Sequence, residues 1–126
     1  MRILGIGTDI VEIARIDRLL ERQAERFIER ILHPHELAYL AQIHQPAAWL
    51  AKRFATKEAV AKALGTGIGQ AASFVEIETR HTELGQPIIH LHGTSLATAE
   101  QLGVTSIQVS IADEREYAVA FVILLG

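Results

Sequence analysis

The segment from Pro46 to Gly65 constrains this chain more than any other stretch. Proline at a first helical position starts a helix, and Gly65, Gly67 and Gly69 end it, with no glycine or proline in between. The span therefore reads as one long helix. Turning by about 100° per residue, it places Glu58 among Ala51, Phe54, Ala55, Ala61 and Gly65, with Lys62 one turn on. A carboxylate on an apolar side is costly unless something positive meets it, and the rest of the fold has to supply that partner.

The flanking segments alternate between two periods. Ile3 to Thr8 is a short apolar run ending at Asp9, read as a buried strand with Asp9 at its terminus. From Val11 the period is helical: Ile13, Ile16, Leu20, Phe27 and Ile31 fall on one side. Arg15, Arg18, Arg22 and Arg26 fall on another, provided the helix is continuous. Pro34 opens a short helix over His35 to Ile43. Phe74 to Arg80 and Ile88 to His92 flank the turn Leu84 to Pro87, and Ser106 to Ala112 and Tyr117 to Leu124 flank Asp113 to Glu116, giving two hairpins. Between them Leu96 to Leu102 forms a helix stopped by Gly103. This order gives an α+β fold, a mainly antiparallel sheet packed with one long helix and several shorter ones, in a single domain over residues 1–126.

Composition narrows the functions. Twelve basic residues against fifteen acidic ones leave a net charge of −3, so no global field draws nucleic acid or anionic membrane and any anion site is local. The absence of cysteine excludes a disulfide framework, a thiolate metal site and a cysteine nucleophile. The opening apolar run is too short for a signal peptide and Tyr117 to Leu125 too short for a bilayer span, so a cytoplasmic protein is expected.

Asp9 and Glu58 are the carboxylate pair best placed to share a hard cation, since magnesium needs only one or two protein carboxylates beside water and phosphate oxygens. Lys62 can neutralise a phosphate oxygen beside them. A purely structural reading stays open: Glu58 pairs with Lys62 at i, i+4 and Asp9 caps the next helix. Arg53 and Lys57, on another side of the helix, read as solvated unless a ligand wraps round it. The arginine strip reads either as a solvated face laced with Glu–Arg pairs or as a docking strip for an acidic helix. His90 and His92 share a strand face but find no third ligand nearby, and His33, His35 and His44 read as ordinary exposed residues at proline turns. Gly65-Thr66-Gly67 permits backbone amides to approach a ligand, although its spacing is not that of a Walker loop. Neither a Gly-x-Ser-x-Gly elbow nor a His-Glu-x-x-His motif occurs, which leaves hydrolase chemistry unsupported.

Two segments together, Gly5-Ile6-Gly7-Thr8-Asp9-Ile10-Val11-Glu12-Ile13-Ala14-Arg15-Ile16 and Arg53 to Ile68, resemble the signature motifs of the holo-acyl-carrier-protein synthases, small 4'-phosphopantetheinyl transferases of fatty-acid synthesis. The resemblance covers the whole chain. It implies transfer of the phosphopantetheine arm of coenzyme A to a serine of apo acyl carrier protein, with adenosine 3',5'-bisphosphate leaving. By the same resemblance Asp9 and Glu58 bind Mg2+, and these two with Lys62 form the catalytic set. Arg53, Lys62, Gly65 and Thr66 are the coenzyme-binding candidates, and Arg15, Arg18, Leu19, Arg22 and Arg26 the carrier-docking ones. A homotrimer with active sites shared between subunits is also implied. One departure stands out: many members carry Ser-His where this chain has Ala112-Asp113, so no role of that histidine transfers. The competing expectation is a non-catalytic coenzyme A or carrier-binding module on the same scaffold.

Overall fold

The computed structural model describes residues 1–126. In chain order it comprises β1 (Ile3–Glu12), α1 (Ile13–Ile31), α2 (Pro34–Leu40), α3 (Pro46–Ala63), a 3-10 turn (Phe74–Glu76), β2 (Ile77–His81), β3 (Pro87–Leu91), α4 (Gly93–Leu102), β4 (Ser106–Asp113) and β5 (Tyr117–Leu125). Both sheets are antiparallel: a three-stranded one in the order β1-β5-β4, and the β2-β3 hairpin. The α+β expectation holds, with the antiparallel strands divided between two sheets.

Small residues let α3 lie against the three-stranded sheet. A Cβ at Gly5 would collide with the Ala63 carbonyl, and one at Gly7 with that of Ala59. Close approach of helix and strand therefore depends on glycine facing alanine at these two points. From β5, alternate residues Ala118, Ala120, Val122 and Leu124 are buried towards α3. The helix is covered almost all round: Leu50, Ala51, Ala55, Ala59, Val60, Ala61 and Ala63 all join the core.

Several boundaries differ from the sequence reading. β1 runs four residues past Thr8, because its ladder with β5 continues to the Glu12–Tyr117 pair, so Asp9 lies inside the strand opposite Ala120. The first helix accordingly starts at Ile13. It is also broken at Gln23, whose φ of −155° and ψ of 52° are far from helical values, so the arginine strip spans two differently directed segments. Finally, α2 begins at Pro34 itself and ends at Leu40, and Phe74 to Glu76 coil into a turn before β2.

The outward face of the three-stranded sheet is apolar and uncovered. Ile6 and Ile10 of β1 are 61% and 64% exposed, and Val119 and Phe121 of β5 are 38% and 44% exposed. In register, Ile6 stands opposite Ile123 and Ile10 opposite Val119, which makes the patch continuous. No helix of the chain is long and apolar enough to cross a membrane.

Candidate active site

Asp9 follows Gly5 and Gly7 in the alternation of β1, so its side chain leaves the strand on the face that α3 covers. There it meets Lys62, whose Nζ donates to Asp9 Oδ1 at 2.9 Å and to the Thr8 carbonyl at 3.0 Å. Lys62 is thus paired with Asp9 across the strand–helix contact, which replaces the expected i, i+4 pair with Glu58. Its side chain keeps half its surface in water.

Glu58, half-buried one turn earlier, is held by no hydrogen bond or ion pair of its own. Burial pushes its carboxyl pKa above the usual carboxylate range, the Asp9 charge pushes it the same way, and Lys62 and Arg15 pull it back only in part. Two carboxylates repelling each other beside one lysine leave room for a further positive charge. Oxygen donors of this kind suit a hard divalent cation such as magnesium.

A cavity of about 640 Å³ adjoins Glu58. Phe54, Ile68 and Phe74 are among its apolar walls, and Arg15, Leu19 and Arg26 from α1 stand around it. The Arg15 guanidinium lies 5.8 Å from the Phe54 ring centroid. Of the arginine strip, Arg15 and Arg26 line the cavity that Glu58 adjoins, and two do not. Arg18 turns back to Glu12 at 3.3 Å, and Arg22 lies beyond the walls of this cavity, in a shallow depression among Glu21, Glu25 and Glu29.

Arg53 and Lys57 are not solvated. Lys57 is fully buried, donating from Nζ to Glu36 Oε1 and to the Phe74 carbonyl at 2.8 Å. Glu36 also accepts the Thr79 amide at 3.0 Å and, as the partner in a capping box, the His33 amide at 3.0 Å. The Arg53 guanidinium lies 3.9 Å above the Trp49 ring, and its Nε stands 3.3 Å from Glu36 Oε2 without making a hydrogen bond. Burial lowers the pKa of both cations, and Glu36 partly restores them. Sequence reasoning missed Glu36 because its one signal was a capping box started by histidine, an unusual cap.

Arg53 opens away from Glu58, into cavities of about 420 and 260 Å³ on the other side of α3. Trp49, Thr79 and His81 line both, with Lys52 and Asp113 at the smaller, where they stand 3.6 Å apart. The coenzyme-binding candidates therefore divide between two faces of one helix. At the helix end, Gly65 (φ 84°) and Gly67 (φ 66°) take left-handed conformations and donate their amides to the Lys62 and Ala61 carbonyls. These two amides cap the helix, leaving the Thr66 hydroxyl, which donates to the Gly67 carbonyl at 2.8 Å, as the polar group of the loop.

Two of the histidines at the proline turns, His33 and His35, are not ordinary surface residues either, whereas His44 is exposed as expected. Glu78 of β2, only 1% exposed, accepts from Arg80 Nε at 2.8 Å and lies 2.8 Å from His92 Nε2 and 3.2 Å from His35 Nδ1. Burial would raise its pKa, but the hydrogen bonds of Arg80, His92 and His35 overcome that and hold it at about 2. His33 stacks on His92 with ring centroids 4.4 Å apart. His92 thus does have further potential ligands nearby, brought from α2 and β2 by tertiary structure.

Residues 5–122 match the 4'-phosphopantetheinyl transferase superfamily. A relative from Photorhabdus laumondii, named holo-[acyl-carrier-protein] synthase, is 53% identical over 124 residues, 98% of each chain. The crystal structure of holo-[acyl-carrier-protein] synthase from Neisseria meningitidis superposes with a TM-score of 0.94 at 42% identity, covering 99% of this chain and 100% of that one. That of the Helicobacter pylori synthase in complex with coenzyme A gives 0.84 at 34% identity, covering 95% and 99%.

Proposed function

Because the chain belongs to the holo-[acyl-carrier-protein] synthases of the 4'-phosphopantetheinyl transferase superfamily, we propose that it moves the 4'-phosphopantetheine arm of coenzyme A to a serine of apo acyl carrier protein in a magnesium-dependent reaction. The serine hydroxyl releases its proton to solvent water as its oxygen bonds to the phosphorus bearing the pantetheine. The bond from that phosphorus to the bridging pyrophosphate oxygen breaks, and adenosine 3',5'-bisphosphate leaves.

The observation that carries the metal assignment is Glu58: a half-buried carboxylate, disfavoured by Asp9 and given no partner in the fold. Asp9 and Glu58 would hold magnesium through oxygen donors, and the ion would neutralise pyrophosphate charge there. Transfer of this kind asks mainly for positioning and charge neutralisation. Lys62 orients Asp9 and has the free surface to reach a phosphate oxygen. Phe54, Ile68 and Phe74 give the cavity beside Glu58 an apolar flank, while Arg15, Leu19 and Arg26 present cationic and apolar contacts to the acidic carrier.

A site shared between subunits of a homotrimer fits two further observations. Glu58 and Arg53 face opposite sides of α3, so one subunit's magnesium pair needs another subunit's Arg53 side to bind the nucleotide end of the coenzyme. The uncovered apolar sheet face offers the surface by which copies associate. The test is mass spectrometry of apo carrier protein incubated with coenzyme A and magnesium. The parent adds the phosphopantetheine mass, and Glu58→Ala, folded by circular dichroism, adds none. Full activity in that variant, or binding without mass gain in the parent, would overturn the assignment.

A further inference from the structure

Three imidazoles converge on Glu78 at the wall of the larger Arg53 cavity, apart from the Asp9–Glu58 pair and its own cavity. His33 and His35 come from the start of α2, Glu78 from β2, and His92 from the residue that begins α4. One ligand atom from each of His33, His35 and Glu78 lies within 4.8 Å of the others. His92 Nε2 stands 2.8 Å from Glu78 Oε1, and His33 Nδ1 3.8 Å from the same oxygen. A tetrahedral zinc ion with ligands at roughly 2.0–2.2 Å sets its donors about 3.3–3.6 Å apart, so the His35–Glu78 pair at 3.2 Å and the His33–Glu78 pair at 3.8 Å already stand close to that spacing, and side-chain rotation closes the wider separation and opens the shorter one.

We propose that His33, His35 and Glu78, with His92 alongside, form a second cation site for a borderline transition metal of the zinc class. Its chemistry differs from that of the Asp9–Glu58 pair. Imidazole nitrogens favour zinc, cobalt or nickel, whereas two carboxylates and phosphate oxygens favour magnesium, so the two sites select different ions. The ligands come from three separate elements, and a bound ion ties the first turn of α2 to β2 and to the start of α4. Through the capping box, that turn also carries Glu36, the partner of Lys57.

Two interactions compete with the metal. Arg80 grips Glu78 through Nε and Nη2, at 2.8 and 3.1 Å, and its Nη2 is 3.5 Å from His35 Nδ1. With 46% of its side chain exposed, Arg80 can swing into solvent as the ion enters. His33 Nδ1 accepts the His35 amide at 3.1 Å and gives up that cap on ligation. Both predict that the site is tunable: removing Arg80 strengthens it.

Isothermal titration of tag-free protein with zinc chloride, in excess magnesium, tests this. The expected result is one zinc ion per chain, unchanged in Glu58→Ala, with at least tenfold tighter binding in Arg80→Ala. His33→Asn keeps a good helix cap and removes a zinc ligand, and His35→Ala alters an exposed side chain. Each is expected to weaken zinc binding at least tenfold with an unchanged circular dichroism spectrum. Cobalt serves as a spectroscopic probe, giving visible ligand-field bands in the parent and none in the double variant. The proposal is overturned if neither the parent nor Arg80→Ala binds zinc, or if binding survives in His33→Asn/His35→Ala.

Discussion

Glu58 shows what a carboxylate without a partner costs a fold. Its folded pKa lies above the ordinary value of 4.5, so its protonated form is favoured by folding. That contribution is complete below the unfolded pKa and is lost as pH rises through the folded value, leaving the ionised carboxylate a liability at neutral pH. Glu58→Gln is therefore expected to melt a few degrees higher than the parent at pH 7 without divalent cations. The difference should close as pH falls below 4.5, and added magnesium should raise the parent alone. An unchanged or lower melting temperature at pH 7 would remove the stability argument for a ligand. Lys57 is the opposite kind of residue, a charge spent on structure. Lys57→Met leaves Glu36 with fewer partners in a buried place and is expected to cost roughly 3–5 kcal/mol by urea unfolding, while the folded fraction keeps its transfer chemistry. The sequence separated these two residues poorly, though they are neighbours. Glu58 was legible from a local rule, a carboxylate among apolar i±3 and i±4 positions. Lys57 was not, because α3 is covered on nearly every side and its partner Glu36 lies 21 residues away.

At the level of elements, local rules located the helices, hairpins and caps, since proline starts, glycine stops and alternation are written within a few residues. They failed where a neighbouring element decided the outcome. β1 continues to Glu12 because β5 pairs with it that far, and a single-strand pattern contains no record of its partner's length. The arginine strip failed in another way: periodicity assumed a straight helix, and the non-helical backbone at Gln23 divides it. The cavity beside Glu58, rather than the break, sorts the proposed docking residues, since Arg15 and Arg26 line it and Arg18 and Arg22 do not. Arg26→Glu, at the cavity beside Glu58, is expected to raise the Michaelis constant for carrier protein about tenfold while leaving that for coenzyme A within a factor of two. Arg22→Glu, outside that cavity in the depression among Glu21, Glu25 and Glu29, should raise it less. Steady-state assays with each substrate varied separately decide the matter. Equal effects on both substrates, or a larger effect at Arg22, would refute docking at this end of α1.

For the whole molecule, the unresolved question is why one helix sends its two sets of candidate residues to opposite sides. A chain working alone would have to bring a coenzyme round α3, from the Arg53 cavities to the Glu58 cavity. In a closed cyclic assembly each interface can set the Glu58 side of one copy against the Arg53 side of the next, and a heterologous contact of this kind uses both faces at once. The exposed apolar sheet face, with Ile6, Ile10, Val119 and Phe121, gives such an assembly its hydrophobic centre. Complementation tests this more sharply than disruption does. Glu58→Ala and Arg53→Met are each expected to abolish most transfer, yet a co-expressed mixture should regain activity, because some interfaces join the intact Glu58 of one subunit to the intact Arg53 of another. With equal, random mixing that holds for half times half of the interfaces, so about a quarter of parental activity should return. Sedimentation of the mixture should show trimers, and Phe121→Glu should give monomers that add no mass to the carrier. A mixture no more active than its two components measured apart would mean that each chain carries its own site, and the apolar sheet face would then need another explanation.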